Sequence, residues 1–562
     1  MPIHLLYRTL FVAFLFLFNG YNRTSAQEFK AINPLNIQAS LSGNFGELRP
    51  NHFHAGIDLK TAGREGLEVK SVADGFVSRV KVSPFGYGNV VYIDHPSGYT
   101  TVYAHLKSFE PAIEAFVKKQ QYTLKTNEVD VYPGKNELIV KQGDIIALSG
   151  NSGGSGGPHL HFEVRETATE VPRNPLLFNF PVDDHKAPVI EAIAIVPLSS
   201  QSAVAGKNQS FRSRVSSNRI MAQQPVQISG SFGLQLRGYD SQDGSYNHNG
   251  IYEIEVFVND QRLSRFVADS IPFDVSRHLN ALIDYDYYYY NKSRFVCLYR
   301  LPGNLLPNIQ YKNDGKINLP DGKHNITLIT RDFHGNESTV SFEVEVKQPS
   351  KKDEVLKSDS LRWNVPYLYE SGRFEVYFPA NCVYENQVLS IEERMVNDVE
   401  IISLFKVQTP VQEAFVIETP LPENELSKGW LIAQCTESGS PIRALSTNYS
   451  NGFLKAESRS FGHFRTYQDL IPPKIQSYNF SNGKNWSNGL MKFKITDNFS
   501  DIYRINCFVN EEWIVSSYEP KQDLLTIDVD ELIISENEQH LMIEISDLAG
   551  NVATFDGNFY RR

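Results

Sequence analysis

Apolar and polar positions alternate along this chain in short runs, such as GFVSRVKV from Gly75 and GNVVYIDH from Gly88, each bounded by Gly, Pro or Asn. A period of two marks strands with one buried face, so the predicted fold class is mainly β. One stretch departs from it. From about Pro111 to Gln121, Ile113, Phe116 and Val117 recur at helical spacing beside Lys118 and Lys119, which predicts a helix. It lies in an insertion, about 110–138, between two strand pairs.

The same patterning divides the chain. Residues 27–183 read as one compact β-rich domain, closed by the connector PVDDHKAP. Beyond it lies an internal repeat. The segment Gly233 to Asn259 aligns with Gly489 to Asn510, and HNITLITRDFHGN from His324 echoes HLMIEISDLAGN from His540. Repeated strand blocks of this kind predict two immunoglobulin-like β-sandwiches, over 184–349 and 471–562. Between them, 350–470 is β-rich with no internal partner. Four domains agree with 562 residues at roughly 150 per domain.

Residues 1–26 read as a signal peptide: Arg8, an apolar run from Leu10 to Phe18, and the small residues Thr24, Ser25 and Ala26 before Gln27. The run is too short to span a bilayer, and no later stretch approaches the length needed. The mature chain is therefore expected to be exported without an integral membrane span, to the periplasm, cell envelope or medium. Lys and Arg number 54 against 65 Asp and Glu, a net charge of −11, which argues against nucleic acid as a partner. Cys297, Cys382, Cys435 and Cys507 are widely spaced. An exported setting permits disulfides, but burial as small hydrophobes is the simpler reading.

Candidate chemistry concentrates early. Six of the fourteen histidines fall between positions 52 and 161, and three pieces hold five of them: HFHAGIDL with His52, His54 and Asp58, TVYAHL with His105, and GGPHLHFEV with His159 and His161. Imidazole and carboxylate suit zinc, and a catalytic site needs three protein ligands and one open position. His159 and His161 are two apart in a strand, so they point the same way.

These residues resemble the lysostaphin-type (LytM-like) zinc metallopeptidases, whose defining pieces are His-x-x-x-Asp and His-x-His with a further histidine between them. The resemblance covers roughly residues 40–180 and implies an antiparallel β-sheet peptidase domain. It also implies that His54, Asp58 and His161 bind one Zn²⁺ ion, and that His105 and His159 assist the attacking water and the oxyanion. Family members cleave peptide bonds in bacterial peptidoglycan, so stem or cross-link peptides are the implied partner. The C-terminal β-domains are then spacers or modules contacting cell-wall glycan or protein. The insertion departs from the simplest family pattern; it either lengthens a groove wall or covers the site. Two other readings share the fold: a non-catalytic regulator of another wall hydrolase, and a zinc peptidase of exported proteins.

Several residues invite plainer readings. His52 shares a strand face with His54, but its distance to Asp58 is wrong. His95 precedes Pro96 and reads as a turn residue. Glu163 shares the face of His161 and can orient a ligand, although a solvated strand position is the simpler reading. The glycines of GNSGGSGGP suit a tight loop. Asp240 and Asp243 hint at calcium without EF-hand spacing, so a polar loop is expected. The tyrosines at 285 and 287–290 read as packed strand aromatics.

Overall fold

The computed structural model describes residues 29–348, 359–421, 428–486, 488–531 and 538–560; the predicted signal peptide lies outside them. The chain is mainly β. Its first region is an antiparallel eleven-stranded sheet with central order Leu41–Gly43, Ile57–Lys60, His159–Glu166, Tyr99–Phe109, Asn89–Asp94, Gly75–Val82. Alternation decides which face is buried. Leu59, Tyr103, Leu160 and Phe162 point into one core with Val77 and Val91, while Asp58 and His161 point the other way.

The predicted helix forms over Pro111–Leu124, capped by the Glu110 side chain and buried through Ile113, Val117 and Gln121. The tyrosine run differs from expectation. Asp284 accepts from the Tyr287 amide and caps a helix over Tyr285–Asn291, so local capping overrides the strand preference of the aromatics. All four cysteines are buried free thiols.

From Val189 onward the described strands form three pairs of sheets and one two-stranded ribbon, Ser360–Leu361 with Gln387–Val388. A five-stranded and a seven-stranded sheet come first, then two five-stranded sheets, then a four-stranded and a five-stranded sheet. The first and last pairs share a connectivity, down to one parallel contact in each: Val226–Ser229 with Glu337–Lys347, and Lys484–Asn485 with Val552–Tyr560.

The first pair also holds part of the opening region in place. Phe45 and Phe53, each 2% exposed, belong to its hydrophobic core beside Ile271 and Leu279. The Phe53 amide donates to Ser276 Oγ at 2.9 Å, and the Asn44 side chain is clasped by Gly250, donating to its carbonyl at 2.7 Å and accepting from its amide at 2.8 Å. Truncating a buried Phe to Ala costs about 3–5 kcal/mol. Phe53→Ala is therefore expected to raise hydrogen exchange at least tenfold in peptides covering 44–54, with peptides from 367–468 unchanged. Unaltered protection of 44–54 would refute this role.

Candidate metal centre

Asp58 and His161 meet because they are directly opposed across two antiparallel strands, where side chains of a pair stand on one face about 5 Å apart. His54 arrives from the turn before the Asp58 strand. Its amide donates to Glu47 O and its carbonyl accepts from the Gly46 amide, both at 2.9 Å. Three atoms result at nearly equal spacing: His54 Nε2 to His161 Nδ1 at 3.0 Å, His161 Nδ1 to Asp58 Oδ1 at 2.9 Å, and His54 Nε2 to Asp58 Oδ1 at 3.0 Å.

Surrounding groups set the protonation of each ring. His54 Nδ1 faces the Asn44 carbonyl at 2.8 Å, and His161 Nε2 faces Glu163 Oε1 at 2.8 Å. Both oxygens only accept, so the outward nitrogens carry the hydrogens and the inward ones carry lone pairs. Two lone pairs and a carboxylate oxygen then face one point. Tetrahedral zinc with bonds near 2.0 Å separates its ligand atoms by about 3.3 Å, so the donor set and its spacing fit a zinc ion. Asp58 Oδ2 accepts from Arg49 Nη2 at 2.8 Å, which leaves Oδ1 for the shared point.

Electrostatics follow the same geometry. Burial pushes the His161 imidazole down, but Asp58 and Glu163 together outweigh it and bring it up to about 9. Burial opposes ionisation of Asp58, yet the His54, His159 and His161 imidazoles around it hold it well below the usual carboxylate range. Burial lowers His54. Glu163 is not solvated, contrary to the simpler sequence reading. It is fully buried, bonded to Arg165 Nε at 2.6 Å and to the Tyr87 hydroxyl. Burial raises its carboxyl, but Arg165 and His161 bring it down to about 2.

The two further histidines complete the cluster. His105 Nδ1 donates to Ser152 O and His159 Nδ1 to Gly157 O, both at 2.8 Å, leaving His105 Nε2 open, while His159 Nε2 lies 3.4 Å from Asp58 Oδ1. Their ring centres lie 4.8 Å apart, and His105 is 5.9 Å from His161. Burial, then repulsion from His161 and His159, brings His105 down to about 3, so it stays neutral. His105 occupies a bulge, with one extra residue between the Asn89–Leu106 and Val91–Tyr103 pairs and φ of 59°. Strict alternation would send it into the core with Tyr103; the bulge turns it to the site face.

His52 is exposed and bonds Pro50 O, and His95 bonds Asp74 O and Thr101; neither reaches the cluster. The glycine loop borders it. Gly153 has φ of +70°, and a Cβ there would lie 2.3 Å from Gly88 N. Sequence reasoning missed Asn44, Arg49 and Tyr87. It also missed Lys521, whose Nζ donates to Asn151 O at 2.7 Å and Ser155 O at 3.2 Å from the last sheet pair. The insertion reaches that pair too: Asn127 accepts from the Ser516 amide at 2.8 Å and donates to Ile505 O at 3.3 Å. Together they wall a groove of about 1100 Å³ that extends to Ser152 and Gly153.

Residues 52–123 and 122–175 match the model of Peptidase family M23, and 358–469 that of a Zu5-like domain. DD-carboxypeptidase/endopeptidase Mpg of Neisseria meningitidis is 32% identical over 158 residues, 27% of this chain and 30% of that protein. Peptidoglycan DD-endopeptidase ShyB of Vibrio cholerae is 37% identical over 134 residues, 24% of this chain and 23% of its own. Murein hydrolase activator EnvC of Escherichia coli is 32% identical over 115 residues, 20% and 21%. The chain thus spans less than a third of the length of these curated relatives. Within that span the family is plain: residues 52–175 form a Peptidase family M23 domain of the LytM type.

Proposed function

We propose that the chain is an exported zinc-dependent metalloendopeptidase that cleaves peptide bonds of bacterial cell-wall peptidoglycan. The observation that carries this reading is the convergence of His54 Nε2, Asp58 Oδ1 and His161 Nδ1 within 3.0 Å of one another, with His105 and His159 beside them. The name of the Vibrio relative supports the substrate class. One relative is named an activator, but an activator has no use for a complete ligand set flanked by two oriented histidines. The β-domains beyond residue 184 serve as spacers or wall-binding modules, and the last of them narrows access to the site.

His54, Asp58 and His161 would hold the zinc ion, which would supply Lewis acidity for the scissile carbonyl and for water, lowering the latter toward a pKa of about 7. Arg49 keeps Asp58 singly engaged by occupying its Oδ2. Glu163 fixes the His161 tautomer and strengthens its donor nitrogen. Neutral His105 accepts the proton of the attacking water at Nε2, and His159, when protonated, donates from Nε2 to the developing oxyanion. The carbonyls of Ser152 and Gly157 hold both rings in that orientation.

Mass spectrometry of products released from purified sacculi tests the reading: wild type should release muropeptides and Asp58→Ala none. Cleavage confined to a panel of ordinary proteins would overturn the substrate assignment. His161→Ala and Asp58→Ala should lose zinc and activity together. His105→Ala should keep zinc, measured by plasma emission, while turnover falls by about 10²-fold or more; equal zinc loss in all three would refute the division of roles. Glu163→Gln should weaken zinc binding about 10–100-fold in chelator competition.

Acidity provides a further check. His161 is raised from 6.5 to about 9, so its proton stabilises the metal-free fold fully below 6.5, and this contribution is lost as pH rises through 9. Zinc must displace that proton. Apparent zinc affinity should therefore climb about tenfold per pH unit through neutrality and level off near 9. A flat profile between pH 6 and 8 would contradict it.

A further inference from the structure

We propose that the first and last sheet pairs each bind one hard divalent cation of the calcium class, at equivalent positions remote from the peptidase cluster. The inference is independent of the proposed catalysis.

In the last pair, Asp469, Asp497 and Asp547 offer ligand oxygens within 4.8 Å of one another; in the first, Asp184 and Asp332 offer carboxylate oxygens and His334 a ring nitrogen at the same spacing. Asp240, at the end of its strand as Asp497 is, lies close enough to Asp184 and Asp332 to feel both charges. Sequence spacing repeats as well. Asp184 and Asp469 each precede a proline by four residues, and Asp332 and Asp547 each open an Asp-x-x-Gly-Asn turn.

The bonding repeats in detail. The Asn336 amide and Nδ2 donate to Asp332 at 2.8 and 2.7 Å, and those of Asn551 donate to Asp547 at 2.8 and 2.9 Å. The same Nδ2 also reaches the backbone carbonyl of Asp184 at 3.1 Å or Asp469 at 3.0 Å. Both clusters are thus locked into one shape, and among the described residues no Lys or Arg pairs with any of these six carboxylates.

Orphaned atoms point to a ligand. Asp469 Oδ2, on a residue 2% exposed, has no hydrogen-bond partner, and neither does Asp240 Oδ1, on a residue 5% exposed. Asp497 Oδ2 and the buried Ser500 hydroxyl are also unpartnered. Burying a carboxylate oxygen without a donor or cation is costly, and like charges so close repel. A cation removes both penalties. Carboxylate oxygens without thiolate select calcium or magnesium over softer metals, and several carboxylates in an irregular cluster suit the larger ion; in the first cluster the His334 Nε2 is already engaged by Val182 O at 2.9 Å.

The test uses the full chain, stripped with EDTA, reloaded with one equivalent of zinc and dialysed against calcium. Wild type should hold two calcium ions, Asp240→Asn and Asp497→Asn one each, and the double variant none. Asparagine keeps the oxygen that accepts from the Phe499 and Ser500 amides at 2.8 and 2.7 Å, so the turn survives. In EDTA, Asp497→Asn should melt no lower than wild type, because one repelling charge is gone. In 1 mM calcium wild type should gain several degrees and the double variant none. No bound calcium at millimolar concentration, or an unchanged count in both single variants, would overturn the proposal, as would a lower melting point of Asp497→Asn in EDTA with no calcium response in wild type.

Discussion

Three acceptor atoms held within 3.0 Å of one another are an unstable arrangement unless something positive lies between them. Everything around the peptidase cluster is arranged to make that conflict persistent. Asn44 and Glu163 occupy the outward ring nitrogens, so neither imidazole can relieve the crowding by turning its hydrogen inward. Arg49 holds the other oxygen of Asp58. Asp58 and Glu163 beside it raise the His161 imidazole despite complete burial. A proton and a metal ion held by His54, Asp58 and His161 would compete for one place, and affinity for either would depend on the same contacts.

Those contacts are not all supplied by the family domain. Asn44 is fixed by Gly250 and Phe53 by Ser276, both from the first sheet pair. From the other side, Lys521 of the last pair ties down Asn151 and Ser155, in the loop whose carbonyls orient His105 and His159. The wall carrying His54 and the wall carrying His105 and His159 are thus each braced by a different downstream β-unit, and the insertion supports the second brace through Asn127, just beyond its helix. Packing that reaches across units in this way limits how far either wall can move when substrate enters the groove.

Much of this was legible because strand periodicity is strict. Two-residue spacing places His159 and His161 on one face, and the order of three short motifs pointed to the family without any coordinates. Alternation cannot distinguish a buried face from a wet one, however. Glu163 looked like a solvated position because nothing local announces that Tyr87 and Arg165 will cover it. The tyrosine run was misread for a related reason: aromatic residues suit strands, but a single Asp at the right offset captures an amide and starts a helix. His105 is the sharpest case. Its side chain reaches the site through a bulge that exists only because two neighbouring strands fix the register on either side of it.

The amino-acid sequence by itself determined the β character, the insertion helix, the repeat and the identities of the clustered histidines and aspartate. These follow from periodicity and side-chain chemistry, which are local properties. Tertiary structure alone decided which histidine nitrogens face inward, that Glu163 is buried against His161, and that distant β-units brace the site. Those outcomes depend on strand register and on contacts hundreds of residues apart, where free energy is set by the geometry of many groups at once rather than by any segment's own preference.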